Sequence, residues 1–116
     1  MIKTKGKEIF LVDGSRTPFL KARNGMGPFN ASTLAVYTGR ELLSRYELVN
    51  EGIDEVIIGS TMPSPDEANI ARVIALRLGL DQTIPAWTVM RNCASGMQAI
   101  DNAMQAIQTG RSELVL

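Results

Sequence analysis

The hydrophobic residues of the chain follow two alternating patterns. Short continuous apolar runs are typical of strands that are buried on both faces. Such runs occupy residues 8–13, 54–60, 86–91 and 112–116. The segments between the runs carry apolar residues at steps of three and four, which predicts amphipathic helices. The pattern therefore predicts four strands that alternate with helices.

Three helices are predicted between these strands. The first covers residues 32–48. The second begins at Ser64-Pro65-Asp66-Glu67, where Ser64 is expected to cap the helix and Glu67 to reach back to it, and it ends at Gly79. The third follows the 86–91 strand and ends at Thr109-Gly110-Arg111. One face of this third helix is predicted to consist of the apolar residues Met97, Ile100, Ala103, Met104 and Ile107.

The order of these elements, βαβαβαβ, predicts an α/β fold. Because helices alternate with strands, the sheet is expected to be mostly parallel and covered by helices on both faces, in three α/β/α layers. A length of 116 residues fits one domain, so residues 1–116 are interpreted as a single unit. The last apolar run, residues 112–116, has no turn after it. We therefore expect the domain to be incomplete at its C-terminus, within its fourth strand.

Charge and composition exclude several classes of protein. Lysine plus arginine and aspartate plus glutamate both number 12, so the chain has no basic excess of the kind that binds nucleic acids or anionic membranes. One cysteine and no histidine leave no internal disulfide and no usual zinc site. Neither a signal peptide nor an apolar stretch of about 18 residues is found. A cytoplasmic location without a membrane span is therefore expected.

The candidate chemistry lies at Cys93, where the third strand is predicted to turn into the third helix. Ligands of parallel α/β sheets bind beyond the carboxyl ends of the strands, and this residue falls there. With Asn92 as the helix cap, Cys93 would be the first helical residue, and the unpaired N–H groups of the first turn would stabilise its thiolate. Gly96 would leave room for a substrate beside the sulfur. The alternative is a cysteine that serves only as a small buried hydrophobic residue.

Residues 92–99, NCASGMQA, resemble the nucleophile motif of the thiolases, in which Ser-Gly begins two residues after a reactive cysteine. Two further stretches match the same family in the expected order. Arg16-Thr17-Pro18-Phe19 follows the first predicted strand, and residues 69–80 are similar to the second thiolase helix. Met62-Pro63 is closer to the fatty-acid-oxidation β subunits than to the biosynthetic branch. The resemblance extends over nearly the whole chain, from about residue 8 to Leu116.

The resemblance implies a function and a role for Cys93. In thiolases the cysteine of this motif attacks an acyl-CoA thioester and carries the acyl group as an S-acyl intermediate, while its backbone N–H helps to hold the oxyanion. Coenzyme A thioesters would be substrates, in acetoacetyl-CoA formation or in 3-ketoacyl-CoA thiolysis. No bound cofactor or metal is expected, and no residue of this chain is assigned to coenzyme A binding.

The family's histidine motif, its second catalytic cysteine and most of its coenzyme A site have no counterpart in these 116 residues. The chain is therefore interpreted as the N-terminal part of a thiolase-like α/β/α half. Alone it is expected to be inactive as an acyltransferase, with slow acylation at most and no turnover.

The resemblance also implies partners. In thiolases the third strand lies at the dimer interface, so residues 87–91 are the predicted contact of a homodimer or homotetramer. A fatty-acid-oxidation α subunit is a further candidate partner. Three alternatives remain open: a β-ketoacyl synthase-like condensing enzyme, a non-catalytic α/β binding or redox module that uses Cys93 as a sensor thiol, and a structural product that self-associates through an exposed strand edge.

Overall fold

The computed structural model describes residues 6–19, 21, 27–47 and 52–116. Its elements are, in chain order, α1 (Ala31–Tyr46), β1 (Val56–Gly59), a 3₁₀ turn (Pro65–Glu67), α2 (Ile70–Leu78), β2 (Ala86–Val89) and α3 (Ser95–Gln108). The predicted order of elements is confirmed from the first helix onward. Within the described residues, no helix combines the length and the hydrophobicity needed to cross a lipid bilayer.

β1 and β2 form a parallel pair in which Val56 lies opposite Ala86. The end of the chain lies along the other edge of β1. There the N–H of Leu116 donates to the carbonyl of Glu55 at 3.0 Å, and the N–H of Ile57 donates to the carbonyl of Leu116 at 2.8 Å. Glu55 and Val115 form a parallel bridge. The predicted fourth strand therefore occupies a strand position beside β1, although it makes a bridge rather than a full ladder.

Helices cover both faces of this sheet. Alternate side chains of a strand point to opposite faces, and in β1 Val56 packs into a core that α1 and α2 complete. Gly59 faces the other way, directly beneath the start of α3. The three-layer α/β/α arrangement with a parallel sheet is thus confirmed. The core residues are Val36, Leu43, Ile53, Val56, Ile70, Ala71, Ile74, Ala75, Leu78, Leu80 and Ala86.

The predicted first strand, residues 8–13, is wrong. This segment forms no strand, and its apolar side chains Phe10, Leu11 and Val12 are exposed, Leu11 to 85%. A strand needs a neighbour that accepts and donates backbone hydrogen bonds, and within the described part of the chain residues 6–19 make no backbone–backbone bond. The segment is tied down at its end, where the Asp13 carboxylate accepts hydrogen bonds from Arg45 at 3.1 Å and Tyr46 at 3.0 Å.

The predicted start of the second helix is also wrong. Pro65 begins only a 3₁₀ turn, for which the Ser64 side chain makes no capping hydrogen bond, and α2 begins only after Asn69. The Glu67 carboxylate accepts a hydrogen bond from the Ser32 hydroxyl instead of reaching back to the predicted cap. The Asn69 side chain turns to β2, where it accepts a hydrogen bond from the Thr88 hydroxyl at 2.9 Å. Tertiary partners have therefore replaced the local cap that the sequence predicts.

The third helix packs through a different face from the one that its apolar residues predict. Its buried residues are small, namely Ser95, Ala99 and Ala106. Met97 is 71% exposed, and Ile100 and Met104 are exposed as well. Small side chains allow the helix axis to approach β1 closely, as the contact between α3 and Gly59 requires. The close approach thus decides which face is buried, and it leaves an apolar stripe at the surface.

Candidate active site

Cys93 is exposed and lies in the turn that joins β2 to α3. The predicted junction of strand and helix is therefore correct, but its local geometry is not. Asn92 adopts the left-handed conformation, with φ at 47°, and α3 begins only at Ser95. Asn92 is therefore not the helix cap, and Cys93 precedes the helix instead of opening it. Asparagine is one of the few residues other than glycine that enters this region without great cost.

The turn is fastened from inside by the hydroxyl of Ser95, which is 2% exposed. This oxygen accepts the N–H of Arg91 at 2.8 Å and lies 2.7 Å from the carbonyl oxygen of Asn92. It also lies 3.3 Å from the carbonyl oxygen of Ser60, just beyond β1. The Thr61 hydroxyl adds a hydrogen bond to the Asn92 carbonyl at 3.1 Å. The segment that carries Cys93 is thus attached to the carboxyl end of β1.

Close contact of backbones makes this attachment possible. A Cβ atom built on Gly59 would lie 2.5 Å from the carbonyl carbon and oxygen of Ser95 and 2.7 Å from the nitrogen of Gly96. No side chain fits in that space, so the position requires glycine. The absence of a side chain on Gly59 therefore sets the distance between the sheet and the cysteine turn.

Backbone donors remain free beside the sulfur. The N–H of Ala94 donates to the Arg91 carbonyl at 3.0 Å, and the N–H of Ser95 donates to the Asn92 carbonyl at 3.1 Å. Within the part of the chain that the structure describes, the N–H groups of Cys93, Gly96 and Met97 have no hydrogen-bond acceptor. They lie at or just before the positive end of α3. Unpaired backbone N–H groups are the kind of donor that oxyanion sites use.

The other residues that the sequence singled out make local contacts. Arg16 donates to the carbonyl of Thr17 at 3.0 Å and lies 5.3 Å from the ring centre of Phe19, as expected for a residue that fixes its own loop. The indole N–H of Trp87 donates to the buried carboxylate of Glu55 at 2.6 Å.

Three site residues were missed at the level of sequence. Gly59, Ser60 and Thr61 follow one another at the carboxyl end of β1 and all contact the cysteine turn. A signal was available, because the carboxyl ends of parallel strands meet at one edge of the sheet. Among the described residues, no group of three potential metal ligands comes together.

Comparison with known proteins identifies the family. The model of the thiolase N-terminal domain matches residues 9–116. The chain belongs to the thiolase family. It is 34% identical over 110 residues to a 3-ketoacyl-CoA thiolase of Shewanella halifaxensis. The aligned residues are 95% of this chain and 25% of that protein. A 3-ketoacyl-CoA thiolase of Aeromonas salmonicida is 34% identical over 112 residues, which cover 97% of this chain and 26% of that protein. The chain thus spans about a quarter of the length of these curated relatives.

Solved thiolase structures share the fold. The acetyl-CoA acetyltransferase of Bacillus anthracis superposes with a TM-score of 0.66 at 43% identity, over 72% of this chain and 21% of that one. Human mitochondrial 3-ketoacyl-CoA thiolase, solved in complex with CoA, gives a TM-score of 0.70 at 35% identity. The superposition covers 76% of this chain and 23% of the human one. The resemblance read from the motifs is therefore confirmed, and the described elements are those of part of a thiolase α/β/α half.

Proposed function

We propose that Cys93 is the residue that accepts the acyl group in a thiolase, so that this chain provides the nucleophile for acyl transfer between coenzyme A thioesters. The observation that supports this most directly is the combination at one turn of an exposed sulfur and the unpaired N–H of the same residue. An acyl-transfer site needs both a nucleophile and a donor for the oxygen that becomes negative.

The proposed step conserves atoms and charge. The Cys93 thiolate attacks the carbonyl carbon of an acyl-CoA, and the oxygen becomes negative as the new carbon–sulfur bond forms. The bond to the coenzyme A sulfur then breaks, the carbonyl re-forms, and coenzyme A leaves as a thiolate that takes up a proton. The N–H of Cys93 stabilises the oxyanion. Removal of one such donor costs about 2.7–4 kcal/mol of transition-state stabilisation in other acyl-transfer enzymes.

The second half-reaction distinguishes the two directions of the activity. In thiolysis the sulfur of coenzyme A attacks the S-acyl cysteine and takes the acyl group, after the carbon–carbon bond of a 3-ketoacyl-CoA has been cleaved with release of acetyl-CoA. In condensation the enolate of acetyl-CoA takes it instead, and acetoacetyl-CoA forms. Both directions need proton acceptors, which these 116 residues do not provide as histidine. We propose that such groups belong to the complete enzyme, and that this chain alone stops after acylation.

Acetylation of the isolated chain tests this proposal. Incubation with acetyl-CoA, followed by intact mass spectrometry and peptide mapping, should show one acetyl group on Cys93 and no coenzyme A turnover. The variant Cys93→Ser is the control, since it keeps the size of the side chain and removes the thiol. A thiol that iodoacetamide alkylates but acetyl-CoA never acetylates would contradict the proposal and would favour a sensor thiol. Acetylation only from an acyl carrier protein would favour a condensing enzyme of the synthase type.

We further propose that the chain associates through the edge of β2, within the 87–91 segment, as a homodimer or homotetramer. In support, β2 pairs with β1 along one edge only among the described residues, and Met90 beside it is exposed. Sedimentation of Met90→Asp against wild type tests this, with Leu76→Asp on the exposed face of α2 as the matched control. An unchanged sedimentation coefficient in both variants would remove the proposal.

A fatty-acid-oxidation α subunit is the second proposed partner, and a cytoplasmic location is proposed with it. Co-sedimentation with such a subunit and cell fractionation are the corresponding tests. Failure to co-sediment would remove the subunit, and recovery of the protein outside the soluble cytoplasmic fraction would remove the location.

A further inference from the structure

We infer that Ser95 is a positioning residue for the acyl-transfer step, and this inference rests on the proposed function of Cys93. The hydroxyl of Ser95 acts through the peptide bond that joins Asn92 to Cys93. That peptide carries both the carbonyl that Ser95 holds and the N–H that is free beside the sulfur. By fixing the carbonyl, Ser95 sets the direction of the N–H.

The geometry of the peptide bond makes this link rigid. A trans peptide is planar, so its C=O and N–H point in opposite directions. When protein donors hold the Asn92 carbonyl on the inner side of the turn, the N–H of Cys93 must point to the outer side. No cis peptide bond occurs among the described residues. The groups that bind the Asn92 carbonyl therefore decide the direction of the Cys93 N–H at the opposite edge of the same peptide.

Three donors meet at the Asn92 carbonyl. They are the Ser95 N–H at 3.1 Å, the Ser95 hydroxyl at 2.7 Å and the Thr61 hydroxyl at 3.1 Å. The Ser95 hydroxyl has a single proton, and the Asn92 carbonyl is its nearer acceptor, since the Ser60 carbonyl lies at 3.3 Å. The shortest of the three bonds thus comes from a side chain that is almost wholly buried, at 2% exposure.

The conformation of Asn92 explains why the turn needs these bonds. Asparagine tolerates a φ of 47° better than most residues, but the region is still uncommon for any residue other than glycine, and supporting contacts favour it. The Ser95 oxygen also accepts the N–H of Arg91, so one hydroxyl holds the peptide that precedes Arg91 and the peptide that follows Asn92. Loss of this one hydroxyl would remove the acceptor of the Arg91 N–H and the shortest of the three bonds to the Asn92 carbonyl. The Asn92–Cys93 peptide would then be held less firmly, and the Cys93 N–H would spend less time directed at the site.

The test compares two reactions of the same sulfur in Ser95→Ala. Acetylation by acetyl-CoA needs the oxyanion donor, whereas alkylation by iodoacetamide needs only an accessible thiolate. We expect the acetylation rate to fall about 10- to 100-fold while the alkylation rate stays within about twofold. Ser112→Ala is the matched control. It also removes a buried hydroxyl, at 3% exposure, but from a site that binds Glu55, and both of its rates should match wild type.

Thr61→Val provides a second variant that does not depend on the folding of Ser95→Ala. Thr61 is exposed, the change keeps the shape of the side chain, and it removes one of the three donors to the Asn92 carbonyl. We expect a smaller loss of acetylation, again without a matching loss of alkylation. Equal loss of both reactions in these variants, or acetylation at the wild-type rate, would overturn the role of Ser95. Absence of acetylation in wild type would instead overturn the proposed function, and the positioning role with it.

Discussion

Replacement of Gly59 by alanine should destabilise the fold at the point where the cysteine turn meets the sheet. The added Cβ would lie 2.5 Å from the carbonyl carbon and oxygen of Ser95, whereas ordinary contact begins at 3.4 Å. The atoms that it meets are backbone atoms, which cannot rotate away as the end of a flexible side chain can. Either β1 or the start of α3 must therefore shift.

The magnitude follows from two opposing effects. Overpacking of this kind costs about 1–3 kcal/mol. The cost here belongs at the upper end, because the added Cβ would meet backbone atoms of Ser95 and Gly96. Alanine in place of glycine recovers about 0.4–1 kcal/mol because the unfolded chain has less conformational freedom to lose. The clash wins, and we expect a net loss of about 2 kcal/mol in the free energy of unfolding. For a domain of this size that corresponds to a fall in the melting temperature of roughly 6–12 °C.

Thermal unfolding followed by circular dichroism measures this effect. Gly14→Ala and Gly96→Ala are matched controls, since a Cβ at either position would meet no atom within 4 Å. Gly96→Ala lies in the first turn of α3 and should be neutral or slightly stabilising. If Gly59→Ala melted within about 2 °C of these controls, the close approach of α3 to β1 would be refuted, and with it the account of how the cysteine turn is held.

Two other contacts give further predictions. Glu55→Ala should lower the free energy of unfolding by about 2–3 kcal/mol, because the Trp87 indole N–H and the Ser112 hydroxyl lose their carboxylate acceptor. Urea unfolding measures this loss. An effect no larger than that of Glu55→Gln would contradict the prediction. The pKa of Asp54 is lowered from 3.8 because its carboxylate accepts the N–H of Leu114 and that of the preceding residue. Its stabilising effect is therefore present above that value and is lost as the pH falls through the lowered pKa. The melting temperature should fall less on acidification in Asp54→Asn than in wild type, and parallel curves for the two proteins would argue against the assignment.

The sequence alone determined those elements whose pattern reflects their own burial. Strands covered on both faces must be apolar throughout, and β1 and β2 lie within the runs that were read as strands. The end of α2 at Gly79 was readable too, because this residue adopts a φ of 82°, which glycine enters without cost. The motif around Cys93 was sufficient for the family, as the match over residues 9–116 confirms.

Tertiary structure decided the features that depend on a partner distant in sequence. Residues 8–13 have the composition of a strand, but a strand forms only when another segment pairs with its backbone, and composition does not show whether one does. The apolar stripe of α3 was expected to mark its packing face, yet the helix approaches β1 through small residues because Gly59 allows close contact. The conformation of Asn92 likewise depends on the attachment of its turn to the end of β1, through the Thr61–Asn92 and Ser95–Ser60 bonds. These bonds join residues 31 and 35 positions apart, and such distant contacts leave no local pattern in the sequence. Local sequence encodes which residues prefer burial, whereas the distances between backbones, and hence the geometry around Cys93, arise only when the segments pack together.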